Sequence, residues 1–237
     1  MSGGIVAIVP AAGIGKRFGE GANKSLVSLG GRPLLLWALD TIASLSEIEE
    51  IIPVIKESDM NHAVELFERF KIPKVKKIAP GGRERQDSVF HGLNLVDDKE
   101  CTILVHDGAR PLIEPHVIRD AISQRKDYDG VVVGVPLKDT VKEAVDGVVQ
   151  KTLRRESLWS IQTPQIFPYE GIYRAYERAM RESFYSTDDS ALVERYGGKI
   201  KVVMGSYTNI KITTPEDLKI AELFLAGRRG NEAEKVL

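Results

Sequence analysis

Two features of the amino-acid sequence, the order of its apolar segments and its length, predict an α/β fold with a mostly parallel sheet. Short runs of β-branched residues alternate with helical patterns, as in proteins built from repeated strand–helix–strand units. At 237 residues the chain is large for one domain and short for two, so one α/β core with an excursion is the simplest arrangement. We therefore expect a single domain over residues 1–237.

Apolar runs predict the strands, and proline and threonine mark the helices between them. The predicted strands are Ile5 to Val9, Ile51 to Ile55, Lys74 to Ile78, Thr102 to His106, Val131 to Val135 and Ile200 to Met204. Pro33 stands at the first turn of a helix predicted from Leu34 to Leu45, and Pro115 opens another. Near the end of the chain, Thr214 predicts an N-cap and Pro215 the first turn of a further helix.

The stretch from Thr140 to Leu153 breaks this alternation. Two alternating segments flank Asp146 and Gly147, a pair that favours a two-residue hairpin turn. A polar hairpin without a third strand is marginally stable alone. We therefore expect an arm over residues 137–159 that packs against a second subunit.

Composition restricts the partners and the cellular location. The 33 Lys and Arg residues balance 34 Asp and Glu residues, so the basic excess typical of nucleic-acid binders is absent from the sequence. The single cysteine, Cys101, lies in an apolar run, which predicts a buried thiol in a reducing compartment. No window reaches the roughly 18 to 20 apolar residues that a membrane helix needs. We expect a cytoplasmic protein that binds neither membrane nor nucleic acid.

A glycine-rich basic loop, Pro10 to Gly19, follows the first predicted strand. Small residues at a strand end let backbone N–H groups approach phosphates. A dinucleotide fingerprint is excluded because Phe18 stands at its third glycine, and a Walker A loop is excluded because Pro10 takes its first glycine position. What remains is the pattern G-x-G-x-R, followed seven residues later by Lys24. On this loop alone, an ordinary turn with solvated cations stays an alternative.

Two further segments carry candidate site residues. A glycine pair ending at Gly82 leads into a helix predicted to begin near Arg83. Asp107 and Arg110 follow the strand that ends at His106, where such sheets bind ligands. Asp107 and Arg110 can also simply pair with each other. We interpret His106 as strand-end structure, because no cluster of metal-binding side chains accompanies it.

Seven motifs together resemble those of the cytidylyltransferases of the methylerythritol phosphate route to isoprenoids, over about residues 5 to 226. They are Pro10 to Arg17, Gly81 to Val89, Val105 to Pro111, Asp139–Thr140, Thr163 to Gln165, Thr187–Asp188 and Asn209 to Lys211. The resemblance implies a Rossmann-like, three-layer mixed sheet with a projecting β-arm used in dimerisation. It also implies transfer of CMP from CTP to 2-C-methyl-D-erythritol 4-phosphate, with release of pyrophosphate.

The resemblance also assigns roles to residues of this chain. Charge stabilisation during the reaction is assigned to Arg17, Lys24 and Lys211. Contacts with CTP are assigned to Pro10, Ala11, Ala12, Gly13, Gly15, Gly82, Ser88 and Asp107. Contacts with the acceptor are assigned to Asp107, Arg110, Thr140, Arg155, Thr163 and Lys211, with Arg155 reaching across a dimer with exchanged arms. Without the resemblance, Lys211 reads as a surface lysine and Arg155 as a solvated cation of the arm.

Magnesium is the expected cofactor, because triphosphates carry it and it binds largely through their oxygens. The sequence predicts no dedicated metal cage, and Asp107 is a possible ligand. The expected partners are CTP, a small sugar-alcohol phosphate and a second copy of the chain.

Three positions depart from the family pattern. Asn23 and Ser25 flank Lys24 where the family usually has proline and glutamine, and Thr208 replaces a commonly acidic residue.

Two other functions are alternatives to this reaction. A pentitol phosphate cytidylyltransferase would share the nucleotide motifs and differ in its acceptor pocket. A non-catalytic nucleotide-binding module is the second alternative, and the presence of Arg17, Lys24 and Lys211 argues against it.

Overall fold

The structure, a computed structural model, describes residues 4–13 and 26–234, with side chains up to residue 228. Its strands are β1 (Ile5–Pro10), β2 (Ser28–Leu29), β3 (Arg32–Pro33), β4 (Ile48–Ile55), β5 (Ala79–Pro80), β6 (Thr102–Val105), β7 (Gly130–Pro136), β8 (Lys142–Val145), β9 (Val148–Thr152), β10 (Trp159–Pro168) and β11 (Ile200–Met204). Seven of them form one sheet in the order β11-β7-β10-β6-β1-β4-β5. Only β10 in this sheet runs antiparallel to its neighbours, β6 and β7. The predicted mostly parallel, mixed sheet is confirmed.

Helices cover both faces of this sheet. They are α1 (Leu34–Ala43), α2 (Met60–Phe70), α3 (Arg85–Asn94), α4 (Pro115–Ser123), α5 (Tyr169–Arg181), α6 (Asp189–Arg195) and α7 (Pro215–Glu234). Alternate residues of β1 point to opposite faces: Ala7 and Val9 pack with α1, α2 and α4, whereas Val6 and Ile8 pack with α3, α5 and α6. The result is the expected three-layer α/β arrangement.

The helix starts agree with the capping signals of the sequence. The helices α1 and α4 begin directly after Pro33 and at Pro115. At the start of α7, the Thr214 hydroxyl accepts a hydrogen bond from the Asp217 N–H at 3.3 Å, which satisfies a backbone donor of the first turn. Among the described residues, no helix has both the length and the apolar character needed to cross a membrane.

The strand predicted at Lys74 to Ile78 is wrong. Only Val75 bridges to Ile51, and the strand beside β4 is the two-residue β5 further on. Lys74 has a φ of 65°, a left-handed conformation that ends an extended run. The side chains of Lys74 and Lys77 instead donate hydrogen bonds to the carbonyl oxygens of Leu45 and Leu95, at 2.6 and 2.8 Å.

The hairpin predicted from Thr140 to Leu153 is present as β8 and β9. Asp146 and Gly147 have φ values of 48° and 80°, the pair of positive angles that a type I′ turn requires. In the described part of the chain, β8 and β9 pair only with each other. Their residues are all exposed, and Val148 retains 63% of its accessible surface. The hairpin is therefore confirmed, and its packing against a second subunit stays a prediction.

Candidate active site

A cleft lies at the edge of the sheet where four neighbouring parallel strands end. Because β1, β4, β5 and β6 run in the same direction, the segments that follow them meet at one edge. The cleft has a volume of about 480 Å³. Its lining includes the predicted residues Pro10, Ala11, Ala12, Gly13, Gly82, Ser88, Asp107 and Lys211. Six further lining residues had no individual role in the sequence analysis: Lys56, Gly81, Arg83, Glu84, Arg85 and Ala109. All of them except Lys56 lie within the motifs that carry the family resemblance.

The glycine turn before α3 forms one wall of the cleft. A Cβ on Gly81 would lie 2.3 Å from the Cβ of Ala12, so only glycine allows this turn to pack against the segment after β1. The Ser88 hydroxyl accepts a hydrogen bond from the Gly82 N–H at 3.0 Å and donates one to the Glu84 carbonyl oxygen at 3.1 Å. Ser88 therefore fixes the curve of the turn from within.

The buried carboxylate of Asp107 is the centre of a cluster of partly buried cations. Its Oδ1 accepts a hydrogen bond from Arg85 Nε at 3.0 Å, and its Oδ2 lies 2.8 Å from Lys211 Nζ. Arg110 Nε lies 3.6 Å from the same Oδ2. Burial alone would raise the pKa of Asp107, but Arg85, Lys211 and Arg110 hold that pKa well below its ordinary value. Asp107 is thus ionised at neutral pH and surrounded by an excess of positive charge, which favours an anionic ligand.

Asn209 explains how Lys211 reaches this cluster. The Asn209 side chain is fully buried, and its Nδ2 donates to the Gln162 Oε1 at 3.1 Å and to the Thr163 carbonyl oxygen at 2.9 Å. Arg110 Nη1 donates to the Asn209 carbonyl oxygen at 2.7 Å. The segment before α7 is thereby held against β10, with Lys211 directed at Asp107. Near this segment, the Thr208 hydroxyl bonds with the Ser206 hydroxyl at 2.8 Å, so the departure at position 208 is accommodated by a local polar contact.

A buried ion pair behind the cleft was missed by sequence reasoning. Arg85 donates two hydrogen bonds to the Asp189 carboxylate, each of 2.8 Å, and the Tyr176 hydroxyl donates a third. The neighbouring Asp188 caps α6 and accepts a bond from Gln165 Nε2 at 2.7 Å. The motifs that contain Asp188 and Gln165 therefore join α6 to β10. The only sequence signal for the ion pair of Arg85 with Asp189 is that Asp189 directly follows Asp188, which belongs to one of the seven motifs.

Asp189→Asn is expected to lower the free energy of unfolding by about 3 kcal/mol, because the Arg85 guanidinium would face a neutral amide with one acceptor oxygen in place of a carboxylate with two. Urea denaturation of the purified protein measures this change. Asp97→Asn is the matched control, because Asp97 pairs with Lys77 but its side chain is 86% exposed. Midpoints that shift equally in the two variants would contradict the buried pairing.

Four predicted site residues in the described part of the chain do not line the cleft. Arg110 and Thr163 lie beside it, where Arg110 contacts Asp107 and Thr163 Oγ1 accepts a hydrogen bond from the Asp107 N–H at 3.0 Å. Thr140 and Arg155 are exposed on the arm, and Arg155 Nη1 donates to the Lys138 carbonyl oxygen at 2.6 Å. The predicted residues Gly15, Arg17 and Lys24, with Asn23 and Ser25, lie outside the described residues.

The fold and the cleft together define a class of protein. A glycine-containing turn, the end of β1 and a cluster of cations surround a cavity at the carboxyl edge of a doubly covered sheet, as in α/β enzymes that bind nucleotides. The cations at this cavity are placed to stabilise charge on a phosphate, as a nucleotidyltransferase requires.

Comparison with known proteins identifies the family. Residues 5–227 match the profile of 2-C-methyl-D-erythritol 4-phosphate cytidylyltransferase, and the chain belongs to that family. The cytidylyltransferase of that name from Caldanaerobacter subterraneus subsp. tengcongensis is 45% identical over 224 residues, which cover 93% of this chain and 98% of the relative. The one from Pelotomaculum thermopropionicum is 43% identical over 232 residues, covering 97% and 98%.

A solved structure agrees with this assignment. The 4-diphosphocytidyl-2C-methyl-D-erythritol synthase of Anaerococcus prevotii superimposes with a TM-score of 0.84 at 35% identity, covering 94% of this chain and 99% of the other. The family resemblance expected from the seven motifs is therefore confirmed, as are the fold and the class of enzyme.

Proposed function

We propose that this protein transfers CMP from CTP to 2-C-methyl-D-erythritol 4-phosphate, giving 4-diphosphocytidyl-2-C-methyl-D-erythritol and pyrophosphate. The observation that carries the proposal is the ion pair of Lys211 with Asp107, 2.8 Å apart, facing the glycine turn and the end of β1 across one cleft. Membership of the family supports this reaction and this pair of substrates.

The reaction is an in-line attack by a phosphate oxygen of the acceptor on the α-phosphorus of CTP. The new P–O bond forms as the bond to the pyrophosphate leaving group breaks. A phosphate monoester is already anionic at neutral pH, so no general base is required, and catalysis consists of alignment and charge stabilisation. We assign the stabilising charges to Lys211 and to Arg17 and Lys24 of the loop after β1.

The nucleotide lies along the turn before α3 and the end of β1. We assign contacts with the cytosine to the backbone around Gly82, whose curve Ser88 fixes, and contacts with the phosphates to the backbone of Pro10 to Gly13 and of Gly15. Backbone donors and acceptors suit a base whose edge offers both. Asp107 closes the far side of the nucleotide.

The acceptor lies on the Asp107 side of the cleft. We assign contacts with it to Asp107, Arg110 and Lys211 of one protomer and to Thr140 and Arg155 from the arm of its partner, with Thr163 beside them holding Asp107 in place. The guanidinium of Arg155 suits bidentate binding of a phosphate. The exposure of both arm residues in the single chain supports their assignment to a neighbour's site.

A divalent metal, for which we propose Mg²⁺, would supply positive charge that neutralises the phosphates of CTP. The carboxylate at the centre of the cluster is that of Asp107, and both of its oxygens already contact cations. Phosphate oxygens would therefore supply most of the metal ligands.

We further propose a cytoplasmic homodimer in which residues 1–237 form one domain and residues 137–159 the exchanged arm.

Pyrophosphate release tests the proposed function. The purified protein with CTP and Mg²⁺ should release pyrophosphate with 2-C-methyl-D-erythritol 4-phosphate and much more slowly with ribitol 5-phosphate. Preference for ribitol 5-phosphate would favour the pentitol enzyme. CTP binding in calorimetry without release from either acceptor would favour the non-catalytic module.

The protein is expected to prefer CTP over UTP by at least about 10²-fold in kcat/KM, because UTP presents a carbonyl where cytosine presents an amino group and leaves backbone groups of the turn unpaired. Steady-state rates with each nucleotide at a fixed acceptor concentration give the ratio, with ATP as a purine control. Comparable kcat/KM values for CTP and UTP would place base recognition elsewhere.

A further inference from the structure

His106 lies directly beneath the acceptor side of the cleft but does not line it. It follows β6, precedes Asp107 and has no accessible surface. Both ring nitrogens are engaged, Nε2 with the Arg110 carbonyl oxygen at 3.2 Å and Nδ1 with the Thr163 hydroxyl at 3.1 Å. A buried residue with two such contacts is more than the end of a strand.

The chemistry of these partners fixes the tautomer of the ring. A carbonyl oxygen can only accept, so the hydrogen of a neutral imidazole must lie on Nε2, and Nδ1 must accept from the Thr163 hydroxyl. Burial lowers the pKa of His106 to about 4, outweighing the favourable contacts with Arg110, Asp107 and Thr163, so the ring is neutral at neutral pH.

Thr163 is fixed in turn. Its hydroxyl hydrogen is donated to His106, and one of its lone pairs accepts the Asp107 N–H at 3.0 Å. Its carbonyl oxygen accepts the Asn209 side chain at 2.9 Å, two residues before Lys211. Thr163 thus holds both sides of the Asp107–Lys211 ion pair, and its hydroxyl has no hydrogen left for an anionic ligand.

We propose that His106 is a positioning residue for the acceptor substrate, acting through Thr163 on the Asp107 backbone and directly on the turn that carries Arg110. The proposal rests on the function proposed above. His106 links β6, the turn at residues 107–110 and β10, the three segments whose ends carry the acceptor contacts. Asp107 and Arg110 can meet the acceptor in one geometry only while these bonds hold.

His106→Leu, which removes both ring bonds at similar volume, should lower kcat/KM for the acceptor by about 10²-fold, the scale for a small misplacement of binding groups. The KM for CTP should change no more than about threefold, because Asp107 is the one nucleotide contact that we link to His106, whereas the glycine turn and the end of β1 carry the others. His106→Asn offers an oxygen near the place of Nδ1 and should recover part of the loss.

Thr163→Val separates positioning from a general loss of structure. It removes the hydroxyl at nearly constant volume, and it should reproduce the acceptor-specific defect. Because the bond between His106 and Thr163 is lost in both single variants, the double variant should show less than the product of the two single effects. Thr102→Val, a buried change at the opposite end of β6, is the control. Circular dichroism melts confirm folding, and equal effects on both substrates, or effects that multiply, would overturn the proposal.

A second measurement does not depend on turnover. In the protein labelled with 15N-histidine, the His106 ring should give one protonated nitrogen at Nε2 and one unprotonated nitrogen at Nδ1 at neutral pH, with Nδ1 shifting in Thr163→Val. The opposite tautomer, or an imidazolium, would overturn the proposal even if the enzyme is active. Absence of pyrophosphate release by the wild type, with the expected tautomer present, would reject the proposed function and leave the bonding arrangement standing.

Discussion

Lys211→Ala is expected to lower kcat about 10²- to 10³-fold, the scale for removing one group that stabilises charge in a transition state. The KM for CTP should change less, because the developing charge on the α-phosphate needs Lys211 more than the bound ground state does. Steady-state kinetics with both substrates varied measure the two effects. The ion pair with Asp107 holds the lysine at the cleft before any ligand binds.

Two further variants make this result specific. Lys201→Ala removes a lysine near the start of β11, at the opposite edge of the sheet from the cleft, and should leave kcat unchanged. Lys211→Arg keeps the charge but replaces a compact ammonium by a planar fork, so it should restore only part of the rate. A near-normal kcat for Lys211→Ala would show that Lys211 takes no part in the reaction and serves only as the counter-ion of Asp107.

The central fold was predictable because parallel strands buried on both faces leave a strong sequence pattern. The run at Ile5 to Val9 is wholly apolar, the run at Thr102 to His106 is apolar at its three central residues, and both form strands in the structure, the second ending at Val105. From two parallel strands it follows that Pro10 and Asp107 meet at one edge of the sheet, without any knowledge of contacts. That inference located the cleft.

The remaining elements depend on information that no local pattern carries. The strand β10 contains two prolines and several polar residues, and only its place between β6 and β7 makes it a strand. The run at Lys74 has β-branched residues, yet its lysines satisfy distant carbonyl oxygens instead of pairing. Asp189 and His106 gain their significance from partners 104 and 57 residues away in the chain, Arg85 and Thr163.

The arm carries apolar side chains that a single chain leaves uncovered. Its two strands pair only with each other in the described part of the chain, and three valines on them, Val145, Val148 and Val149, are each more than half exposed. An isolated two-stranded hairpin is marginal in water, and such exposed apolar side chains are typical of surfaces that become covered. A second copy of the chain would cover them and bring Arg155 within reach of a neighbouring cleft.

The largest expected effect follows from a site shared between two subunits. If each site combines Lys211 of one chain with Arg155 of its partner, Lys211→Ala and Arg155→Ala should each be poorly active alone. After unfolding and random reassociation of an equal mixture, about half of the dimers are mixed, and each mixed dimer holds one intact site and one doubly damaged site. Activity should therefore recover to about a quarter of the wild-type value, far above either variant alone.

A matched mixture controls for recovery by any other route. Lys211 and Asp107 contact each other within one chain, so a mixture of Lys211→Ala and Asp107→Asn creates no intact site in any dimer and should stay inactive. Native mass spectrometry demonstrates the mixed dimers in both mixtures. If mixed dimers form but Lys211→Ala with Arg155→Ala gains no activity, Arg155 acts within its own chain. A monomeric wild type would reject the exchanged arm altogether, because the exposed hairpin would then have no partner subunit to cover it.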